Sequence, residues 1–147
     1  YGFGPSFRYK KFDFSFFFQG AARVSIMMNG IHPFGDGETR SVLQFIADDY
    51  WSEDNQNIYA KYPRLSKRDN PNNTAWSTYW QRNGAFLKLK NAEIGFNHKF
   101  FRIYLRGSNL LTFSPFKYWD PEMGSGSGLS YPTQRVFNVG VQFSINK

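Results

Sequence analysis

Phe12-Asp13-Phe14-Ser15-Phe16-Phe17-Phe18-Gln19-Gly20-Ala21-Ala22-Arg23-Val24-Ser25-Ile26 alternates between apolar and polar side chains. Phe12, Phe14, Phe16, Phe18, Ala22, Val24 and Ile26 fall on one side of an extended chain. Asp13, Ser15, Gln19, Arg23 and Ser25 fall on the other, because successive strand side chains point to opposite faces. Read as one strand, the stretch spans roughly 50 Å at ~3.3 Å per residue, against ~17–20 Å for a common globular strand. Such a length, with bulky aromatics on one face only, suits a transmembrane β-barrel that projects beyond the lipid.

The composition agrees with that reading. The chain has 147 residues, enough for one ordinary domain, and is 20% aromatic, with 17 Phe, 9 Tyr and 4 Trp. Its mean hydropathy is −0.55, as expected where lipid-facing and water-facing residues alternate and cancel. No run approaches the ~18 consecutive apolar residues of a transmembrane helix. The net charge is +7, but Lys and Arg are scattered and form no stripe or recognition helix, which argues against nucleic acid as a partner. The absence of cysteine excludes a disulfide scaffold and a thiolate metal site. The sequence opens Tyr1-Gly2-Phe3-Gly4, without an initiator Met or a signal peptide. For a membrane barrel this suggests a fragment, a processed product or one piece of a split protein.

Parity organises the rest. Phe3, Phe7 and Tyr9 are odd-numbered, and the run from Phe12 to Phe18 is even-numbered. A two-residue turn at Lys10-Lys11 produces this switch and sets Tyr9 opposite Phe12. Residues 27–76 lose the alternation, and Gly30, Pro33, Gly35, Gly37, Pro63 and the Asn70-Pro71-Asn72-Asn73 cluster mark a long loop. Within it, Val42, Phe45, Ile46 and Tyr50 have helical spacing and predict a short helix over 41–50. A loop of that length is functional or mobile. Strand character returns near Trp76 to Phe96. Leu87 and Leu89 share a face, and Ala92, Ile94 and Phe96 continue in the other phase. That slip predicts a β-bulge near Lys90-Asn91.

Asn97-His98-Lys99-Phe100 reads as a short turn. Phe101, Ile103, Leu105, Leu111 and Phe113 share the next face, opposite Arg102, Tyr104, Arg106 and Thr112. A second long loop covers 114–134. The last strand sets Phe137, Val139, Val141, Phe143 and Ile145 against Asn138, Gln142, Ser144 and Asn146. The result is about five antiparallel strands joined by short turn, long loop, short turn and long loop, the pattern of outer-membrane barrels. Tyr9, Phe12, Phe96 and Phe101 flank the short turns as an aromatic girdle would. A soluble β-sandwich shares these hairpins. Five strands do not close a pore, since small barrels need about eight.

Trp80-Gln81-Arg82-Asn83-Gly84-Ala85-Phe86-Leu87-Lys88-Leu89-Lys90-Asn91-Ala92-Glu93-Ile94-Gly95-Phe96 resembles a pattern near the end of SusC/RagA-type TonB-dependent transporters. In that pattern an aromatic, an acidic or Asn residue and a Gly precede Phe-Leu-(Arg/Lys)-Leu-Lys-Asn and an Ile-Gly-aromatic step. Arg102-Ile103-Tyr104-Leu105 and Gly107-Ser108-Asn109-Leu110-Leu111-Thr112-Phe113 resemble the next strand. Trp119-Asp120-Pro121-Glu122, Tyr131-Pro132-Thr133-Gln134-Arg135 and Phe137-Asn138-Val139-Gly140-Val141 resemble the last loop and closing strand. Phe12 to Gly20 matches an earlier strand. Two departures are a short connection between Phe96 and Arg102, and Ser144-Ile145-Asn146-Lys147 after the last aromatic.

The resemblance implies an all-β fold: residues 1–147 would be the last five strands of a plugged barrel of roughly 22 strands, without the plug. It places loops 27–76 and 114–134 outside the cell and the Lys10-Lys11 and Asn97–Phe100 turns in the periplasm. The implied function is the wall portion of an importer of oligosaccharides or peptides, in the outer membrane of a Gram-negative bacterium. Its partners would be the remaining barrel and plug, a SusD-like surface lipoprotein, TonB acting through the plug, and outer-membrane lipid. Two other readings compete: a secreted, aromatic-rich β-sandwich that binds glycans, and a barrel fragment of a secretion complex.

Chemistry-bearing residues are few. His32 and His98 are far apart, which speaks against a metal site or a catalytic triad. Asp48, Asp49, Glu53 and Asp54 lack EF-hand spacing and read as a solvated acidic loop. Gly124-Ser125-Gly126-Ser127-Gly128 lacks the ending of a phosphate loop and reads as a flexible tip. Asn72-Asn73-Thr74 matches a glycosylation sequon, which means little in a bacterial outer membrane. No nucleophile–base pair stands out, so neither an enzyme nor a cofactor is expected. The binding candidates are loop aromatics: Tyr50, Trp51, Trp76, Tyr79, Trp80, Tyr118, Trp119 and Tyr131. Their faces suit stacking on sugar rings or peptide side chains, but girdle or loop-packing duty is the favoured reading for any one of them, so no substrate residue is assigned.

Overall fold

The computed structural model describes residues 1–31, 41–66 and 70–144. Its strands are β1 (Gly2–Phe3), β2 (Ser6–Tyr9), β3 (Phe12–Ala21), β4 (Ser25–Met27), β5 (Gln81–Asn83), β6 (Phe86–Asn97), β7 (Phe101–Phe113) and β8 (Val136–Phe143). The chain divides into two compact units. One comprises Tyr1–Ile26, Arg82–Gly124 and the chain from Gly128 onward; the other comprises Met27–Gln81 with Ser125–Ser127.

The first unit is a wall. Its sheet runs β1–β3–β6–β7–β8, with β2 also pairing β3. Every pairing in it is antiparallel, and β4 and β5 intervene in sequence between the paired β3 and β6. β1 and β2 hold one register, Gly2 opposite Gln19 and Ser6 opposite Ser15, so they form a single edge strand interrupted at Gly4-Pro5. An edge tolerates Pro5, which has no N–H to donate. The Pro5 carbonyl still accepts the Phe16 N–H at 3.0 Å. The sheet is open, and its two outer edges do not meet.

The parity argument holds through this sheet. Tyr9 faces Phe12, with Lys10 at φ 53°, the left-handed conformation that a two-residue hairpin turn requires. The pairing slips by one residue between Leu89 and Asn91, leaving Lys90 bulged. Partners directly across strands share a face. The row Phe14–Ile94–Leu105–Val139 is therefore apolar, and the adjacent row Ser15–Glu93–Arg106–Asn138 is polar. Phe137, Val139, Val141 and Phe143 lie together as expected, while Ile145 and Asn146 fall outside the described residues. Nothing among the described residues covers the apolar face: Leu105 is 47% exposed, Val141 51% and Val139 75%. A β-sandwich would bury these side chains against a second sheet.

The first strand is shorter than the alternation implies. β3 stops at Ala21, because Arg23 adopts φ 57° and turns the chain. Ser25 to Met27 then pair with β5 in a separate two-stranded sheet. The wall strand is thus ten residues, not the full stretch to Ile26. Strand structure also resumes later than Trp76. Thr78–Trp80 is a 3-10 turn, and β6 begins after Asn83, whose side-chain oxygen accepts the Ala85 N–H at 3.0 Å.

The second unit packs as a small globule rather than an open loop. Met28, Ile31, Ile46, Tyr62 and Trp80 are buried. The helix expected over 41–50 is one turn, α1 (Gln44–Ala47), without a side-chain N-cap. The Asn70-Pro71 cluster, expected as loop, starts α2 (Pro71–Thr74). Asn70 accepts the Asn72 N–H, and Pro71 occupies the first turn, where its missing donor costs nothing. The Gly124–Gly128 stretch is not a free tip. Gly126 N–H donates to Met27 O at 3.0 Å, Asn29 N–H to Gly126 O at 3.0 Å, and Met27 N–H to Ser125 Oγ at 3.0 Å. No described helix is long and apolar enough to cross a membrane.

Candidate functional site

Two arrangements bear on function: charge clusters on the polar face of the wall, and an aromatic cleft in the second unit.

On the polar face Arg102 donates to Asp13 Oδ2 at 2.5 Å and to Glu93 Oε1 at 2.6 Å, and Asn97 donates to Asp13. This cluster lies over Gly95, where a Cβ would sit 2.6 Å from both the Arg102 guanidinium and the Asp13 carboxylate. Glycine there is what lets three strands bring their charges together. The Arg102 guanidinium also lies 5.2 Å from the Tyr104 ring centre, a cation–π contact.

Further along β6, Lys88 is fully buried, its ammonium 2.6 Å from Asp120 Oδ2 and 2.6 Å from Glu122 Oε2. Lys90, released from the ladder by the bulge, reaches Glu122 at 3.0 Å. Both carboxylates come from the 114–134 segment, where Asp120 N-caps a 3-10 turn over Pro121–Met123. Burial raises the pKa of Asp120 and Glu122, but hydrogen bonds from Lys88, and from Lys90 to Glu122, outweigh it. Both carboxyls therefore titrate below their usual values. The segment is thereby clamped to the polar face.

The cleft encloses about 330 Å³ and is lined by Trp51, Tyr62, Tyr79 and Trp80, with Asn57, Asn72, Asn73 and Ser77. Trp80 is its pillar: its Nε1 donates to Asn73 O at 3.0 Å, and its ring stacks on Tyr62, centres 6.4 Å apart. Tyr79 meets Trp80 edge-on at 4.9 Å, and its hydroxyl donates to Lys61 O. Among the described residues, no charged side chain lines the cleft. Apolar ring faces beside side-chain amides can stack on and hydrogen-bond a neutral polar ligand.

The structure sorts the aromatic candidates. Trp51, Tyr79 and Trp80 converge on the cleft. Tyr50 bridges the backbone of Tyr62 instead. Trp76 and Tyr131 stand exposed outside the cleft. In the wall, Tyr118 and Trp119 pack around Phe116, with ring centres 5.4 and 4.7 Å away. The sequence reading missed Tyr62 and the Lys88 clamp; the alternation pairs Lys88 with Lys90 as polar but does not reveal their carboxylate partners. His98 stacks on Phe101 at 4.8 Å, and His32 lies outside the described residues. The acidic loop is dispersed: Asp48 accepts from Gln44, Asp49 pairs Lys61 at 3.3 Å and Glu53 pairs Arg64 at 2.9 Å.

An antiparallel sheet, apolar and uncovered on one face and charge-paired on the other, has the build of β-barrel wall. No family profile matches the chain. It is 28% identical over 163 residues to TonB-dependent receptor P3 of Formosa agariphila, covering 95% of this chain and 16% of that protein. It is 29% identical over 168 residues to TonB-dependent receptor P26 of the same organism, covering 96% and 16%. The RagAB peptide importer in its open-open state superposes with a TM-score of 0.70 at 23% identity, over 98% of this chain and 17% of that one. The closed-closed state gives 0.71 at 23% identity, over 97% and 16%. The chain is thus similar to a segment of TonB-dependent receptors and has the fold of the matched segment of RagAB. It spans 16% of the length of the receptors it matches.

Proposed function

We propose that residues 1–147 form the C-terminal five strands of the barrel of a TonB-dependent nutrient importer in a Gram-negative outer membrane. The observation that carries this reading is the wall's reversed polarity. Burying a Val, Leu, Ile or Phe side chain gains about 1.5–3 kcal/mol over leaving it in water. A row such as Phe14–Ile94–Leu105–Val139 left uncovered makes sense against hydrocarbon. The polar face then lines the lumen, beside the plug. The Lys10-Lys11 and Asn97–Phe100 turns face the periplasm, and the 27–76 and 114–134 segments face outward. A SusD-like lipoprotein caps the barrel, and TonB acts through the plug. The cargo is an oligosaccharide or a peptide, and the cleft with Trp51, Tyr79 and Trp80 is the element of this chain best suited to touch it.

The test is made in the full-length transporter. Phe14→Arg and Val139→Arg each place a cation on the lipid face, where the cost climbs from ~0–1 kcal/mol at the interface towards ~2–4 kcal/mol at the midplane, and are expected to reduce the heat-modifiable barrel in outer-membrane fractions. Ser15→Arg, on the lumen face, is expected to assemble normally. Equal tolerance at all three positions would refute the assignment of faces. Co-purification of a surface lipoprotein, rather than secretion components, separates import from the secretion alternative.

A further inference from the structure

We propose that the outward face of the wall carries an acyl-chain slot that holds a phospholipid of the periplasmic leaflet. The inference rests on the membrane reading above. The row Phe14–Ile94–Leu105–Val139 is bulky throughout. The next row, Phe16–Ala92–Gly107–Phe137, has two small residues at its centre. The surface is therefore dented between Phe16 and Phe137, and the dent holds about 290 Å³. Leu110, in the β7 bulge, closes one side: a Cβ on Gly107 would sit 2.6 Å from Leu110 Cδ2. Glycine at 107 is what allows that closure. The side chains that form the dent are hydrocarbon. Glu93 borders it, but its carboxylate is held by Arg102 on the opposite face at 2.6 Å.

The occupant follows from depth and charge. A protein partner would bring roughly one hydrogen bond per 100–200 Å² and a polar rim, and these side chains have no donor or acceptor to answer it. Phe16 lies four residues above Phe12 at the turn end of β3, about 14 Å at ~3.4 Å per residue. At the ~35–45° tilt of barrel strands that is ~10–11 Å along the bilayer normal, about a third of a ~30 Å hydrocarbon core. At the same end Lys10 holds its ammonium 5.3 Å above the Tyr9 ring, and Lys99 lies 5.4 Å from Phe100. With Lys11 they form a cationic margin beside the aromatic girdle, positioned to meet a lipid phosphate. A phospholipid with its headgroup there reaches the slot with the far end of one chain.

Native mass spectrometry of the full-length transporter, delipidated in detergent and given back palmitoyl-oleoyl phosphatidylethanolamine, tests this. The wild type is expected to retain one tightly bound phospholipid. Ala92→Phe, which fills the slot, should lose it, and the milder Ala92→Leu should weaken it if the larger ring disturbs assembly. Lys10→Ser with Lys11→Ser and Lys99→Ser should also weaken retention. A heat-modifiable barrel that retains no lipid, or one that retains it equally in the Ala92 variants, overturns the slot while the membrane reading stands. Retention of lipopolysaccharide instead, or a dimer that Ala92→Phe splits, overturns the proposed occupant. Failure of the wild type to reach the outer membrane would refute the underlying reading instead.

Discussion

In the loop unit the large apolar side chains are the buried ones. Met28, Ile46, Tyr62 and Trp80 are inside, and the Glu53–Arg64 pair is on the surface. In the wall this order is reversed. Phe137, Val139 and Leu105 stand open, and a lysine, Lys88, is wholly inside. One rule produces both arrangements, that apolar atoms leave water and buried charges find partners. On the reading proposed above, what differs is the medium: the loop unit resolves its pattern against itself, as water-surrounded chains do, and the wall would leave one face for a solvent that is not water. The contrast is sharpest where the same residue type plays opposite roles. Phe45 packs on Tyr62 with ring centres 5.8 Å apart, while Phe137 has no cover among the described residues.

The largest expected effect falls on the loop unit alone. Trp80→Ala removes a buried indole and its bond to Asn73, a loss of about 3–5 kcal/mol for a Trp-to-Ala truncation in a core. The 41–81 region should become sensitive to protease while the barrel remains heat-modifiable. Loss of both together would mean that the two regions do not fold by separate logic.

Next comes the clamp. Lys88→Met leaves Asp120 and Glu122 partly buried, with Lys90 still on Glu122, and removing one partner of a buried pair costs about 3–5 kcal/mol. The 114–124 segment should then lose protection in hydrogen exchange. Adding Asp120→Asn and Glu122→Gln to Lys88→Met should restore most of it, because Asn still caps the 3-10 turn, no carboxylate is left bare, and the amide oxygen at 122 can still accept from the Lys90 ammonium. A triple variant as loose as the single one would show that the charges do not hold the segment. Acid gives a milder form of the same test. The folded-state pKa values of Asp120 and Glu122 lie below the usual 3.8 and 4.5, so the clamp's contribution is full above those values. It is lost as pH falls through the folded values. Protection of this segment should hold from neutrality to about pH 5 and fall below about pH 4.

Much of the wall is legible in the sequence because strand parity is a local code. The Lys10-Lys11 hairpin, the Lys90 bulge and the facing rows all follow from counting odd and even positions. The end of β3 does not, since Ala22, Val24 and Ile26 keep the alternation while Arg23, at φ 57°, breaks the strand. The cleft is half legible: its tryptophans are conspicuous, but Tyr62 joins them through backbone pairing with Tyr50 and Trp51, which no local pattern encodes. The Lys88 clamp joins residues 32 and 34 positions apart, and nothing in an alternating Leu-Lys-Leu-Lys run tells which carboxylates answer the lysines.

The smallest expected effect closes the comparison. Glu53 and Arg64 make as good an ion pair by distance as Lys90 and Glu122, 2.9 Å against 3.0 Å, but their side chains are 69% and 63% exposed. Water and salt screen such a pair, and exposed pairs contribute ~0–1 kcal/mol. Glu53→Gln should leave the loop unit's protease resistance unchanged within about 1 kcal/mol, at low salt as at high. If it loosened the unit as Lys88→Met loosens the outer segment, distance rather than burial would be deciding the strength of these pairs. The distinction between a region wet on every side and one with a dry side would then lose its electrostatic support.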